Sequence, residues 1–323
     1  MGPGSSPYPE RHDSGAPDPF ASPLPPPFVE RPEFWRREPR TRYVVLFCIT
    51  LLTTTLVFTT PPARGGLLDS WSWLLTGLWY SLPVLAILGA HEFGHYFACV
   101  HYRVNASLPY FLPFPWFFGT LGAVIRIREP IPSKRALFDI GIAGPIAGFV
   151  VAVPVLFAGM WMSTVMPIPQ GYTGQYFGEP LLLQFVAWLL FGPIPAGHDI
   201  FLHPTGMAAW FGLLATALNL FPIGQLDGGH ITYAVFGRRS TAITLIAVAC
   251  LVSLAVFVSS SWILWAFLTV VMVIMLGPRH PRVWDEEVPL DRRRLLLAGV
   301  ALVIFVVSFT PVPIELVGLG SGS

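Results

Sequence analysis

The stretch LPVLAILGAHEFGHYFACV, Leu82 to Val100, is apolar enough to lie in a bilayer, yet His91, Glu92 and His95 interrupt it. An ionisable side chain inside a membrane helix costs on the order of 2–3 kcal/mol or more unless it is paired, so these residues read as functional. Positions i and i+4 share a helix face, and His91 and His95 can therefore aim two ring nitrogens at one ion with Glu92 beside them. Neutral imidazoles suit Zn²⁺, and a tetrahedral catalytic site needs one more protein ligand and one position left for water. Bound zinc lowers the pKa of that water from about 15.7 to about 7, after which Glu92 can accept its proton. A structural polar knot or an ion path are the other readings of the three residues.

The rest of the chain supports a membrane setting. Of 323 residues, 54% are hydrophobic and 11% charged, against roughly 25% charged in soluble domains. Apolar runs at 43–60, 74–100, 136–166, 206–223, 241–259, 262–276 and 295–313 approach the roughly 17–25 residues that cross a bilayer, the sixth only marginally. The run 181–191 is too short and reads as an interfacial or re-entrant helix. The expected fold is an all-α polytopic membrane protein of about seven transmembrane helices, with a short membrane-embedded β segment.

Charge sets the orientation. Arg31, Arg36, Arg37, Arg40 and Arg42 precede the first run, and Arg103, Arg126, Arg128, Lys134 and Arg135 follow the second. Arg238 and Arg239 follow the fourth; Arg279, Arg282 and Arg292 to Arg294 lie between the last two, while 167–205 has no Lys or Arg. The positive-inside rule then makes the N-terminus cytoplasmic and the C-terminus external, and the expected location is a cell (inner) membrane. The arginine clusters serve as topology determinants, and no nucleic-acid partner is expected. Cys48, Cys99 and Cys250 fall inside apolar runs without paired spacing, so neither disulfides nor a cysteine metal site is expected.

Residues 1–42 read as a disordered, Pro-rich cytoplasmic tail with a basic flank, 43–313 as the membrane domain with its core at 74–236, and 314–323 as a short outer tail. No signal peptide precedes the first apolar run. Between the second and third runs, SLPYFLPFPWFFGTLGAVIRIREPIP turns from aromatic and Pro-rich to β-like. It is expected to form a hairpin or strand dipping into the membrane on the cytoplasmic side, where irregular backbone survives only if protein or a water-filled cavity satisfies it.

The third ligand should be another intramembrane acid or histidine. Between Gly206 and Phe236, Asp227 is the sole carboxylate. Pro222 and Gly224 break the helix before it and Gly228 and Gly229 follow, so Asp227 would be displayed at a helix break. HEFGH and NLFPIGQLDG on separate membrane segments are the paired signature of the site-2 protease family of intramembrane zinc metalloproteases, which this chain closely resembles over about 75–236. The resemblance implies one Zn²⁺ held by His91, His95 and Asp227, Glu92 as general base, and Asn219 lining the site near the scissile bond. It also implies hydrolysis of a peptide bond in or near a transmembrane helix of a membrane-protein substrate. FFGTLGAVIRI looks like the family's membrane-embedded β segment, whose edge could pair with an unwound substrate. GIAGPIAGFV resembles its glycine-rich third span. With no room for a PDZ domain or a CBS pair, the chain looks like a minimal, PDZ-less branch.

Other polar residues weigh less. His230 reads as a packing or supporting residue, His198, Asp199 and His203 as an ordinary loop, Asp139 as a helix cap, and Gly144 and Gly148 as a close-packing GxxxG pair. Three rivals remain: a metal transporter, for which no second intramembrane acidic or histidine site is seen, a binding protein with an inactive site, and a different membrane zinc protease that takes a glutamate ligand.

Overall fold

Residues 39–59, 71–169, 171 and 174–317 are described by the computed structural model, and most of them are helical. The chain enters through α1 (Arg40–Val57) and α2 (Trp71–His101), then a hairpin of β1 (Tyr110–Pro113) and β2 (Thr120–Val124). Next come α3 (Lys134–Trp161), β3 (Thr164–Pro167), β4 (Gly174–Phe177), α4 (Leu181–Phe191) and β5 (His198–Phe201). α5 (Pro204–Leu220), α6 (Asp227–Phe236), α7 (Ser240–Phe257) and α8 (Ile263–Leu276) follow. α9 (Arg292–Ser308) and β6 (Ile314–Val317) are last. The Pro-rich tail expected at the N-terminus lies outside the described residues, apart from its basic flank from 39 on.

Local chemistry explains the helix ends. Ser133 caps α3, its hydroxyl accepting the Ala136 N–H at 3.1 Å and satisfying a donor that has no intrahelical partner. Pro204 opens α5, where a missing N–H costs nothing. Gly237 ends α6 at φ 56°, a left-handed turn that glycine makes without a Cβ penalty. Pro83, Pro145 and Pro154 sit inside α2 and α3, as membrane helices tolerate when neighbouring helices re-satisfy the freed backbone groups.

α2, α3 and α5 pack against one another, with α6 laid on α3 and α9 against α3 and α5. Ile87, Leu156, Met160, Trp210 and Leu213 form the centre of this packing. Small residues let the helices close: a Cβ on Gly94 would strike the Ala143 carbonyl, and one on Gly212 would lie 2.8 Å from Ile87 Cγ2. Around this core, Leu52, Leu75, Val150, Ile246 and Phe267 point outward, each more than half exposed. Continuous aliphatic surface of this kind suits lipid.

The structure is that of a helical, polytopic membrane protein, but it redraws the expected spans. Among the described residues, four helical segments are long and apolar enough to cross a membrane: Arg40–Val57, Leu74–His101, Lys134–Trp161 and Asp227–Phe257. Helices do stand at the other expected spans, yet α5 and α9 have 17 residues and α8 has 14. At 1.5 Å per residue, 17 residues rise about 26 Å, short of a hydrocarbon core of about 30 Å. Asp227 stands just after a helix break, as expected, and opens α6, which continues through a 3₁₀ turn into α7. The third helix stops at Trp161, before the end of the apolar run, which Met162, Val165 and Met166 extend beyond the helix.

Among the described residues, three two-stranded antiparallel sheets, β1–β2, β3–β5 and β4–β6, decorate the helices. In the first, Tyr110 pairs with Val124 and Leu112 with Gly122, and a further bridge joins Ala106 to Ile127. α4 matches the short helix expected at 181–191. β6 occupies the start of the expected outer tail and pairs back to β4, Tyr176 opposite Glu315.

Candidate metal centre

Three ligand atoms converge from two distant segments. His91 Nε2 lies 3.1 Å from Asp227 Oδ2, His95 Nε2 lies 3.2 Å from the same oxygen, and the two ring nitrogens are 3.1 Å apart. Among the described residues no other three His, Cys, Asp or Glu side chains gather in this way. Ligand atoms of a tetrahedral zinc with bonds of 2.0–2.1 Å stand about 3.3 Å from one another, so the triangle already has the right size.

Its chemistry fits as well. His95 Nδ1 is 2.7 Å from the Ile140 carbonyl; only an N–H can meet a carbonyl, so the proton sits on Nδ1 and Nε2 turns a lone pair into the triangle. A carboxylate oxygen and imidazole lone pairs so close repel one another unless a proton or a cation lies between them. Two histidines and one carboxylate form a ligand set that zinc accepts. His91, Glu92 and His95 are 5%, 7% and 6% exposed, so the group is shielded although it sits in an apolar helix.

Helix α3 forms the wall behind the histidines. A Cβ on Gly144 would fall within the His95 ring, and one on Gly148 would lie 3.1 Å from His91 Cβ and 3.3 Å from His91 Nδ1. The GxxxG pair thus packs closely, as expected, and what it packs against is the imidazole pair. The Ile140 carbonyl, one turn earlier, has no signal in sequence.

Asp227 reaches the site through a sharp reversal. α5 stops at Leu220, Pro222 and Gly224 (φ 52°) turn the chain, and α6 begins at Asp227. A Cβ on Gly228 or Gly229 would collide with the carbonyls of Leu220 and Gly224 respectively, so this turn closes only with glycine there. Asn219, in the last turn of α5, brings its amide nitrogen to 3.3 Å from His91 Nε2. The Glu92 carboxylate faces the backbone N–H of Ile125, just past β2, so the hairpin abuts the same site.

The remaining candidates lie elsewhere. His230 stays out of the triangle, its Nδ1 2.7 Å from His280 Nε2, while Tyr233 stacks on His280 at 4.4 Å. Burial lowers the pKa of His280 below its ordinary value. His198 and Asp199 belong to β5, and the His203 ring accepts the Thr205 N–H at the start of α5. Asp139 is not the cap of α3: it lies more than a turn inside, where Arg294 Nε donates to it at 2.9 Å and Tyr102 hydrogen-bonds it.

The segment that holds all of these ligand-bearing turns has known counterparts. Residues 79–260 match peptidase family M50. Probable zinc metalloprotease EGY2, chloroplastic, of Oryza sativa subsp. indica is 30% identical over 266 residues, which cover 80% of this chain and 47% of that protein. Its Arabidopsis thaliana namesake is 28% identical over 276 residues, 84% of this chain and 49% of that one. Probable zinc metalloprotease EGY1, chloroplastic, of Arabidopsis thaliana is 30% identical over 249 residues, with 73% and 44% covered. The chain spans about half the length of these relatives. With the family match running over more than half of the chain and enclosing the whole His–His–Asp triangle, this protein belongs to peptidase family M50, the site-2 protease family of zinc metalloproteases.

Proposed function

We propose that the chain is a zinc-dependent intramembrane endopeptidase that hydrolyses a peptide bond in or near a transmembrane helix of another membrane protein. The observation that carries this reading is the shielded triangle of His91, His95 and Asp227 with Glu92 beside it in an apolar helix. His91, His95 and Asp227 would hold one Zn²⁺, which when bound would supply a water activated near neutral pH and a Lewis acid for the scissile carbonyl. Glu92 accepts the proton of the attacking water at its carboxylate and passes it to the leaving amine. Asn219 offers an amide N–H beside His91 and steadies the substrate carbonyl. The β1–β2 hairpin lies within the membrane, and its edge pairs with the unwound substrate strand.

A substrate helix hides its amides in its own hydrogen bonds and must open before it is cut, so proline or glycine near the scissile bond favours cleavage. Its products serve either release of a membrane-tethered regulator or membrane-protein turnover. Seven spans, three of them short and tilted little, carry the chain across a cell membrane, with the basic loops and the N-terminus cytoplasmic.

The test is cleavage of a panel of single-span membrane proteins by purified protein in detergent, wild type beside Glu92→Gln, with zinc measured in both. Products from wild type alone at equal zinc occupancy are expected, with the variant slowed roughly 10²- to 10⁴-fold. Zinc bound in both with no product from either, across a widened panel, would move the site to metal transport or binding.

A further inference from the structure

Asn219 faces two places at once. Its amide stands 3.3 Å from His91 Nε2, and the residue also lines a partly open apolar pocket of about 130 Å³ bordered by α5, the Phe221–Leu226 turn, α7 and α8. Leu226, Leu251, Leu268, Met272 and the indole of Trp265 supply most of the wall. Thr269 also borders it but turns its hydroxyl back to the Trp265 and Ala266 carbonyls, at 2.8 and 3.0 Å. Protein interiors are close-packed, and voids larger than a water molecule are few and destabilising. A partly open apolar pocket beside the asparagine that touches the metal centre leaves room for an occupant from outside the chain.

Size and chemistry narrow the occupant. An apolar cavity of about 150 Å³ takes up benzene, so about 130 Å³ admits one Leu, Met or Phe side chain and excludes an indole. In an extended strand successive side chains point to opposite sides, so a substrate whose carbonyl meets Asn219 turns one of the two side chains flanking that bond toward the cavity. We propose that this cavity is the specificity pocket of the enzyme, accepting one medium-sized apolar side chain next to the scissile bond. The inference rests on the protease reading above, and it assigns selectivity to Leu251, Leu268 and Met272. These residues stand on α7 and α8, outside both metal-binding motifs.

The experiment takes one cleaved single-span substrate and varies each residue flanking the cut bond through Ala, Leu, Phe and Trp. At one of the two positions, wild type is expected to prefer Leu or Phe over Ala and Trp by roughly tenfold or more in kcat/KM, the scale on which an apolar pocket reads added or missing methylenes. Leu251→Phe, which fills the pocket, should cut the Leu and Phe rates at least tenfold and spare Ala. Met272→Ala, which enlarges it, should raise Trp relative to Leu. These opposite shifts cannot come from loss of fold, and zinc content with thermal unfolding is followed in every variant. A flat wild-type profile at both positions, or variants that scale all four rates alike, would overturn the pocket while leaving the protease reading intact. A zinc-loaded wild type that cuts none of the series would overturn both.

Discussion

At the level of single residues, the site depends as much on what is missing as on what is present. His95 is fixed by the Ile140 carbonyl on one nitrogen and by the bare Cα of Gly144 against its ring. Gly144→Ala improves helix propensity yet drives a methyl group into the imidazole. Zinc affinity, measured by chelator competition, should fall ten- to a hundredfold, the usual penalty for disturbing a ligand's support. Gly148→Ala meets His91 Cβ at 3.1 Å, a clash that a small shift relieves, so its loss should be the smaller of the two. Equal affinities in both variants would mean that α3 is not the wall that holds the ligands.

Among the elements, the decisive one is the break between α5 and α6. Gly224 adopts φ 52° there, and a side chain in that conformation costs about 1–2 kcal/mol. Gly224→Ala should lower thermal stability by that amount and weaken zinc binding with it, since the same turn delivers Asp227. The Ser133 cap makes a contrast: Ser133→Ala should cost about 1 kcal/mol with no effect on zinc, because fraying stays in the first turn of α3 and stops short of Ile140 and Gly144. The loop after α8 should respond to pH. His280 is half-buried and hydrogen-bonded to His230 and to the Pro281 carbonyl, and partial burial depresses its folded pKa below its ordinary value. A depressed pKa means that the loop's stabilisation is full above the unfolded value and is lost as pH falls through the folded one. Protection factors for amide exchange over 278–288, corrected for the intrinsic rate, should therefore fall as pH drops below the ordinary histidine range, and His280→Leu should remove that dependence.

For the molecule as a whole, the open question is its orientation in the membrane. His95 lies six residues before the end of α2, about 9 Å of helix rise, so under the proposed topology the metal centre is nearer the cytoplasmic face. With the native cysteines replaced, Phe97→Cys, at an exposed position, should react with a membrane-impermeant maleimide from the cytoplasmic side. Leu82→Cys, on the same helix and also exposed, should not. Labelling of Phe97→Cys from the outside alone would reverse the topology. α9 is tied to the core by Arg294, which bridges Asp139 and Asp291 next to Tyr102, and this pairing explains why Asp139 is ion-paired and does not cap α3.

Membrane residence, the shared face of His91 and His95, and Asp227 as their partner were all legible in sequence. Each follows from a local property: apolar run length, the 3.6-residue period, and a lone carboxylate in a greasy segment. The ends of the apolar runs were not legible, because hydropathy continues across the turn from α3 into β3 and does not register where backbone hydrogen bonds change partners. The hairpin announced itself through its glycines and β-branched residues, but β4 and β6 are four-residue strands far apart in the chain, too short to show a period. Tertiary structure alone decided that Gly144 and Gly148 back the histidines, that the Ile140 carbonyl orients His95, and that Asn219 joins the metal centre to an apolar cavity. Those are contacts between segments, made by backbone atoms, absent side chains and empty volume, none of which a residue letter records.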